Sequence, residues 1–174
     1  MAALNASPAY GIRRLAAADV RPYRAVRLDA LQRHPEVFGS SYEEEAQLDD
    51  AEFQRMISQP PNCTLGAFAG DALVGIAGLV VPVRQKQRHK GIIVGVYVEA
   101  SHRRHGLARR LIEELIVQAR RSSLRVIELA VTVGNQPARR LYYRLGFRTY
   151  GIERFALAIN DSYLDEELMA MVLD

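Results

Sequence analysis

The densest chemistry in the chain lies in Val96-Tyr97-Val98-Glu99-Ala100-Ser101-His102-Arg103-Arg104-His105-Gly106-Leu107-Ala108. An apolar segment ends there, a short basic loop follows, and Leu107, Leu111, Leu115 and Ile116, with Ala108 and Ala119, then recur at helical spacing. A buried strand thus leads through a loop into a helix that starts at Gly106. Helix starts carry N–H groups with no intrahelical partner and the positive end of the dipole, so they hold phosphate well. Gly106 lets phosphate oxygens approach the main chain, and Ala108 keeps the next turn small. Arg103, Arg104 and Arg109 add charge-assisted hydrogen bonds, and His102 and His105 flank the same loop. The lysine and Ser/Thr of a nucleotide P-loop are missing, and so is the G-x-G-x-x-G of dinucleotide folds. A basic helix start that simply meets solvent is the plain alternative.

Downstream, Asn135-x-x-Ala138-x-x-Leu141-Tyr142-x-x-x-Gly146-Phe147 opens a second helix with a capping residue and closes it at a glycine. Together with Arg103-x-x-Gly106-x-Ala108 after a strand, this pattern resembles the two signatures of the GNAT superfamily of N-acetyltransferases. The resemblance runs from Tyr10 to Leu173. Phe38-Gly39-Ser40-Ser41-Tyr42-Glu43-Glu44-Glu45 and Tyr163-Leu164-Asp165-Glu166-Glu167-Leu168-Met169 match a subset of these proteins.

The resemblance implies an α/β fold: a mixed, mostly antiparallel sheet of six to seven strands, splayed between strands 4 and 5 and flanked by about four helices. It implies acetyl-CoA as acyl donor, with the pyrophosphate on the loop Arg103, Arg104, His105, Gly106, Leu107, Ala108 and Arg109. The strand end Val96, Tyr97 and Val98 would hold the pantetheine arm and polarise the thioester carbonyl. Gly95 is a plausible place for a bulge in that strand. Asn135 matches a position that contacts pantetheine, and capping alone also accounts for it. Tyr142 matches the tyrosine that protonates the departing thiolate; packing between Ala138 and Leu145 is its structural alternative. A phenol suits the task because it is neutral at pH 7 and rigid.

The general base is not visible. Ile92 and Ala130 stand where relatives of two kinds carry a glutamate. Glu99 lies at the loop, and Glu128 is read as out of phase with Ala130. A water chain serving an already neutral amine is an equal alternative, and no base is assigned. Direct transfer to a primary amine in a ternary complex is the expected reaction. A non-catalytic acyl-CoA sensor of the same fold is its rival.

The rest of the chain must position these groups. Its 174 residues are 49% hydrophobic and 25% charged, enough apolar material for one globular domain. The expectation is a single domain over 1–174, with 1–8 flexible and no secretory signal in Met1–Ser7. No apolar run approaches the roughly 20 residues of a membrane span. The lone Cys63 excludes an internal disulfide, the four histidines lack helical metal spacing, and no metal is expected. The cytoplasm is the expected compartment.

Alternating and helical spacings give the order β-α-α-β-β-β-α-β-α-β-β. Asp19 is expected to cap the first helix. Ser41-x-x-Glu44 and Asp49-x-x-Glu52 read as capping boxes within the second helical region, and Gly70-Asp71 marks a hairpin. Net charge is +3, and it is unevenly spread. Between positions 84 and 121 ten Arg/Lys face three Glu, whereas between 36 and 58 seven acids face Arg55 alone. Without interleaved aromatics the basic part does not suit nucleic acid. The acidic parts hint at a cationic acceptor such as a polyamine, an aminoglycoside-like compound, a lysine or a protein N-terminus. A homodimer is compatible with the resemblance, and no sequence feature fixes it.

Overall fold

The structure is a computed structural model that describes residues 9–173, so the readings made for the first eight residues lie outside it. The strands are β1 (Tyr10–Arg14), β2 (Cys63–Ala69), β3 (Ala72–Val80), β4 (Lys90–Val98), β5 (Val126–Thr132), β6 (Arg148–Ile159) and β7 (Ser162–Val172). The helices are α1 (Val20–Arg33), α2 (Tyr42–Glu45), α3 (Asp50–Ser58), α4 (Leu107–Arg121) and α5 (Gln136–Leu145). The strands form one sheet in the order β1-β2-β3-β4-β5-β7-β6. Only β4 and β5 run parallel; the other neighbours are antiparallel.

Among the described residues five α-helices stand where about four were expected, because the acidic region splits. The Ser41 side chain accepts the N–H of Glu44 and starts α2; the Asp49 side chain accepts that of Glu52 and starts α3. Each capping box therefore opens its own helix. Asp19 does not cap α1. Its carboxylate accepts the Ala16 N–H at 2.8 Å and takes both Arg13 Nη groups, which closes a 3-10 turn ahead of the helix.

Alternation along the strands sends apolar side chains to two cores. Ile127, Leu129 and Val131 of β5 join Leu111, Ile112, Leu115 and Phe147 on the α4–α5 side. Tyr23, Val26, Ala30 and Leu31 of α1 pack with Phe53 and Ile57 of α3 on the opposite face, against Phe68, Ile76 and Tyr97. The first and third helices thus cover that face of the sheet.

One pair of charges lies inside that second layer. Arg27 falls on the buried face of α1 between Tyr23 and Leu31 and is 9% exposed; Glu45 of α2 is 6% exposed. Arg27 donates from Nε to Oε2 at 2.9 Å and from Nη2 to Oε1 at 2.6 Å. Its guanidinium also lies over the Phe38 ring, 5.0 Å from the centroid. Breaking a buried pair leaves one charge uncompensated, whereas replacing both partners by apolar residues of similar volume is often neutral or stabilising. Glu45→Ala is therefore expected to lose about 3–5 kcal/mol, and the double variant Arg27→Met with Glu45→Met to stay near the parent. Urea denaturation midpoints check both.

Candidate active site

The site begins where two parallel strands part. β4 and β5 pair only at Lys90–Val126, Gly91–Ile127 and Ile92–Glu128. From there β5 continues along β7 and β4 continues along β3, so the β5-side main chain of Ile93–Val98 has no strand partner. Lys90 Nζ donates to Glu128 Oε1 at 2.6 Å where the pairing ends. Further up, β4 is bulged. Register jumps from Ile76–Tyr97 to Gly78–Val94, leaving Gly95 and Val96 opposite Ala77. Gly95 takes φ +63°, a left-handed conformation that suits glycine, at the position where the bulge was expected.

The loop beyond β4 leaves its donors open. A 3-10 turn over Ala100–His102 follows Glu99, Arg104 takes φ +65°, and Gly106 takes φ +73° as the residue before α4. Among the described residues the N–H groups of Arg104, His105 and Gly106 have no hydrogen-bond partner. The first N–H groups of α4, from Leu107, Ala108 and Arg109, likewise lack an intrahelical partner. A Cβ on Gly106 would meet nothing within 4 Å, so the space above the main chain is free. Such a concave run of amides fits a pyrophosphate.

The loop's side chains are partly engaged. Arg103 donates from Nε to the Val98 carbonyl at 3.0 Å and from Nη2 to His34 Nε2 at 2.9 Å. Arg109 pairs with Glu113 at 2.8 Å. The Tyr10 hydroxyl lies 3.1 Å from His102 Nδ1, and its ring packs against His105. Arg104 is exposed and free of ion pairs among the described residues. The Tyr97 hydroxyl donates to Asp29 Oδ2 at 2.9 Å, and burial together with that bond pushes the phenol up to about 12.

Tyr142 and Asn135 come from α5. Asn135 Oδ1 accepts the Ala138 N–H at 3.3 Å, so the side chain does cap the helix, and its amide nitrogen remains open. Tyr142 is 6% exposed and packs edge-on against Phe147 at 5.9 Å. Its hydroxyl has no partner among the described residues, and no unpartnered buried polar atom occurs there. The oxygen therefore retains an opening. Burial pushes this phenol up to about 12. Tyr143 points elsewhere, into a network where its hydroxyl donates to Glu167 at 3.0 Å beside Thr149 and Arg139.

The remaining acids are mostly engaged. Strand residues two apart share a face, so Glu128 does point with Ala130, and the reading of opposite phase is corrected. What occupies Glu128 is Lys90. Glu44 is held by Ser41, Glu45 by Arg27, and Glu43 is exposed. Among the described residues no group of three or more His, Cys, Asp or Glu is placed to hold a metal.

A cavity of about 630 Å³ lies on the α1–α3 side of the sheet, and Arg27, Glu45, Arg55, Ile76, Val94 and Gly95 are among its lining. Arg27 was not singled out from sequence. Its signal was present, as a lone charge at position 27 within the apolar stripe formed by 23, 26, 30 and 31.

The comparisons with known proteins agree with this geometry. The family model described as "Acetyltransferase (GNAT) family" matches residues 24–147, and the chain belongs to that family. The L-amino acid N-acetyltransferase AaaT of Escherichia coli is 30% identical over 158 residues, covering 89% of this chain and 94% of that protein. The N-alpha-acetyltransferase RimI of Mycobacterium tuberculosis is 34% identical over 108 residues, 60% of this chain and 63% of that protein. Among solved structures, the acetyltransferase yncA of Salmonella typhimurium, with its cofactor acetyl-CoA, superposes with a TM-score of 0.84. It is 22% identical, with 95% of each chain covered. A GNAT acetyltransferase from Streptococcus pneumoniae gives 0.82 at 25% identity, covering 95% of this chain and 100% of that one. The protein is an acetyl-CoA-dependent N-acetyltransferase.

A pyrophosphate seated on the Gly106 amide would leave no room for a branched side chain, and φ +73° disfavours one. Gly106→Val is expected to weaken acetyl-CoA binding more than tenfold. Calorimetric titration, with circular dichroism to verify the fold, checks it.

Proposed function

We propose that the enzyme moves the acetyl group directly onto a primary α-amine within a ternary complex. The observation that carries this is the position of the bulged strand β4. Its β5-side edge lines the open cleft, while Val94 and Gly95 of the same strand line the acceptor-side cavity. Donor and acceptor can therefore meet at one strand without a covalent relay. Cys63, the one thiol, is buried on β2, and desolvation raises its pKa, which disfavours a thiolate nucleophile. The named activities of the relatives, on L-amino acids and as an N-alpha-acetyltransferase, support an α-amine acceptor.

Acetyl-CoA, when bound, supplies the acetyl group as an activated thioester. The amides of Arg104–Ala108 bind its pyrophosphate, and Arg104 and Arg109 add positive charge. Val96, Tyr97 and Val98 offer unpaired main-chain groups to the pantetheine arm, joined by the Asn135 amide. A main-chain N–H at the bulge polarises the thioester carbonyl and receives the negative charge that develops on oxygen. The amine nitrogen forms the new C–N bond as the C–S bond breaks, and Tyr142 delivers its proton to the departing sulfur. The proton released by the amine leaves through water and restores the phenol. Residues 9–173 act as one domain in this reading, and the reducing cytoplasm suits its free cysteine.

Acetyl transfer to a panel of amines, followed by mass spectrometry, tests the activity. Tyr142→Phe keeps the ring against Phe147 and removes only the donor, so kcat is expected to fall by roughly 10²–10⁴-fold. Parental turnover in this variant would return Tyr142 to a packing role. Tyr143→Phe should instead lower thermal stability, through loss of its bond to Glu167, and leave kcat within a fewfold.

The pH dependence follows from the raised phenol. With a folded value of about 12, above the ordinary 10, the neutral form is the one the fold favours. That preference is complete below pH 10 and is lost as pH rises through 12. The ratio of parental to Tyr142→Phe kcat should therefore stay constant from pH 7 to pH 10, as measured rate profiles will show.

A further inference from the structure

Arg27 is held more firmly than an ion pair requires and still has donors left over. Its Nε and Nη2 are committed to Glu45, and its face lies on Phe38. Nη1 has no partner among the described residues. A buried side-chain nitrogen without a partner would be an anomaly, and none occurs among the described residues. Nη1 is thus open to the cavity that Arg27 lines. It also lies against the reacting strand, since a Cβ placed on Gly95 would sit 3.6 Å from Nη1.

The rest of the lining narrows what Nη1 can meet. Arg27 and Arg55 are matched there by Glu45 and Glu52, so the cavity is balanced in charge rather than acidic. A polycation has little to gain from such a pocket, because the buried carboxylate is already doubly bonded to Arg27. Glu45 neutralises the Arg27 charge but occupies only Nε and Nη2, so an acceptor carboxylate still finds the Nη1 N–H donors free and held in one place.

We propose that Arg27 Nη1 is a carboxylate receptor, and that the acceptor is a free α-amino acid rather than a peptide N-terminus. This rests on the reading of the site as an α-amine acetyltransferase. In an α-amino acid the amine and carboxylate are separated by a single carbon. A carboxylate seated on Nη1 beside Gly95 therefore brings the nitrogen to the bulged strand where the thioester carbonyl is polarised. A peptide N-terminus has an amide in place of the carboxylate and loses the charge-assisted contact. Glu45 acts as a positioning residue: it fixes the guanidinium in one orientation and leaves Nη1 directed at the acceptor.

The test compares the twenty standard L-amino acids with their carboxamides as acceptors. The parent enzyme is expected to favour at least one amino acid over its carboxamide in kcat/KM by roughly 10- to 150-fold, the range of one hydrogen bond to a charged group. In the double variant Arg27→Met with Glu45→Met, that ratio should collapse towards one. Arg27→Lys, which keeps a charge without the fork, should fall between. A purely structural role for the pair would lower both rates together and leave the ratio intact, and that result overturns the proposal. Equal parental rates on amino acids and carboxamides, or acetylation confined to peptides or other amines, overturn it as well while leaving the α-amine or wider N-acetyltransferase reading to be judged by the panel. Should the parent acetylate no amine, the catalytic reading fails. Calorimetric titration of the same compounds into the CoA-saturated protein then decides the receptor by itself. Binding of an amino acid over its carboxamide, lost in the double variant, supports it; absence of that discrimination overturns it.

Discussion

Everything chemical in this protein depends on one interruption of hydrogen bonding. Two parallel strands pair for three residues and then diverge, so a sheet that is otherwise closed by ladders acquires two lips of unsatisfied main chain. Unpaired peptide groups inside a protein are costly unless something else meets them. In the reading proposed above, the substrate would meet them: the open edge of β4 offers main-chain groups to the two amides of an extended pantetheine arm. The lips stay apart because each has a full ladder on its other side, β4 with β3 and β5 with β7. A ligand therefore finds the opening already formed.

The acceptor-side layer keeps the opening in place by gripping both lips with polar contacts. Tyr97 on β4 reaches Asp29 on α1, and Arg103 beyond β4 reaches His34 at the end of the same helix. On the other lip, the Thr132 hydroxyl donates to the Glu36 carbonyl at 2.6 Å, just after α1. The helix and the turn following it thus span the cleft. Arg27, on the same helix, is locked by Glu45 and lies against the bulge at Gly95. The segment that lines the cavity is thus tied to β4 and the loop beyond it, so in the proposed reading donor and acceptor share one scaffold.

Charge also changes meaning once the chain is folded. In sequence the stretch from Glu36 to Glu52 reads as an acidic face. In the structure most of its carboxylates cap helices or neutralise arginines: Glu44 with Ser41, Glu52 with Asp49, Glu45 with Arg27 and Asp50 with Arg24. The basic loop is similarly moderated, because Arg109 answers Glu113 and Arg103 turns towards His34. What remains open in that loop is chiefly a row of main-chain amides, which carry no formal charge and no sequence signature beyond glycine.

The local features were legible along the chain because they depend on near neighbours. Capping boxes at Ser41 and Asp49, the Gly70-Asp71 turn, the glycine at the start of α4 and the Gly146 cap of α5 are all set by contacts within a few residues. The resemblance also implied the cleft strand, with Gly95 as a place for its bulge. Three things were decided only by tertiary structure. Asp19 pairs with Arg13 and does not cap α1, Glu128 is taken by a lysine 38 residues away, and Arg27 meets Glu45, 18 positions further along the chain. Partner choice among charged side chains is nonlocal, and their long, flexible arms fit many partners equally well in sequence. Only packing, which fixes distance and removes water, selects one.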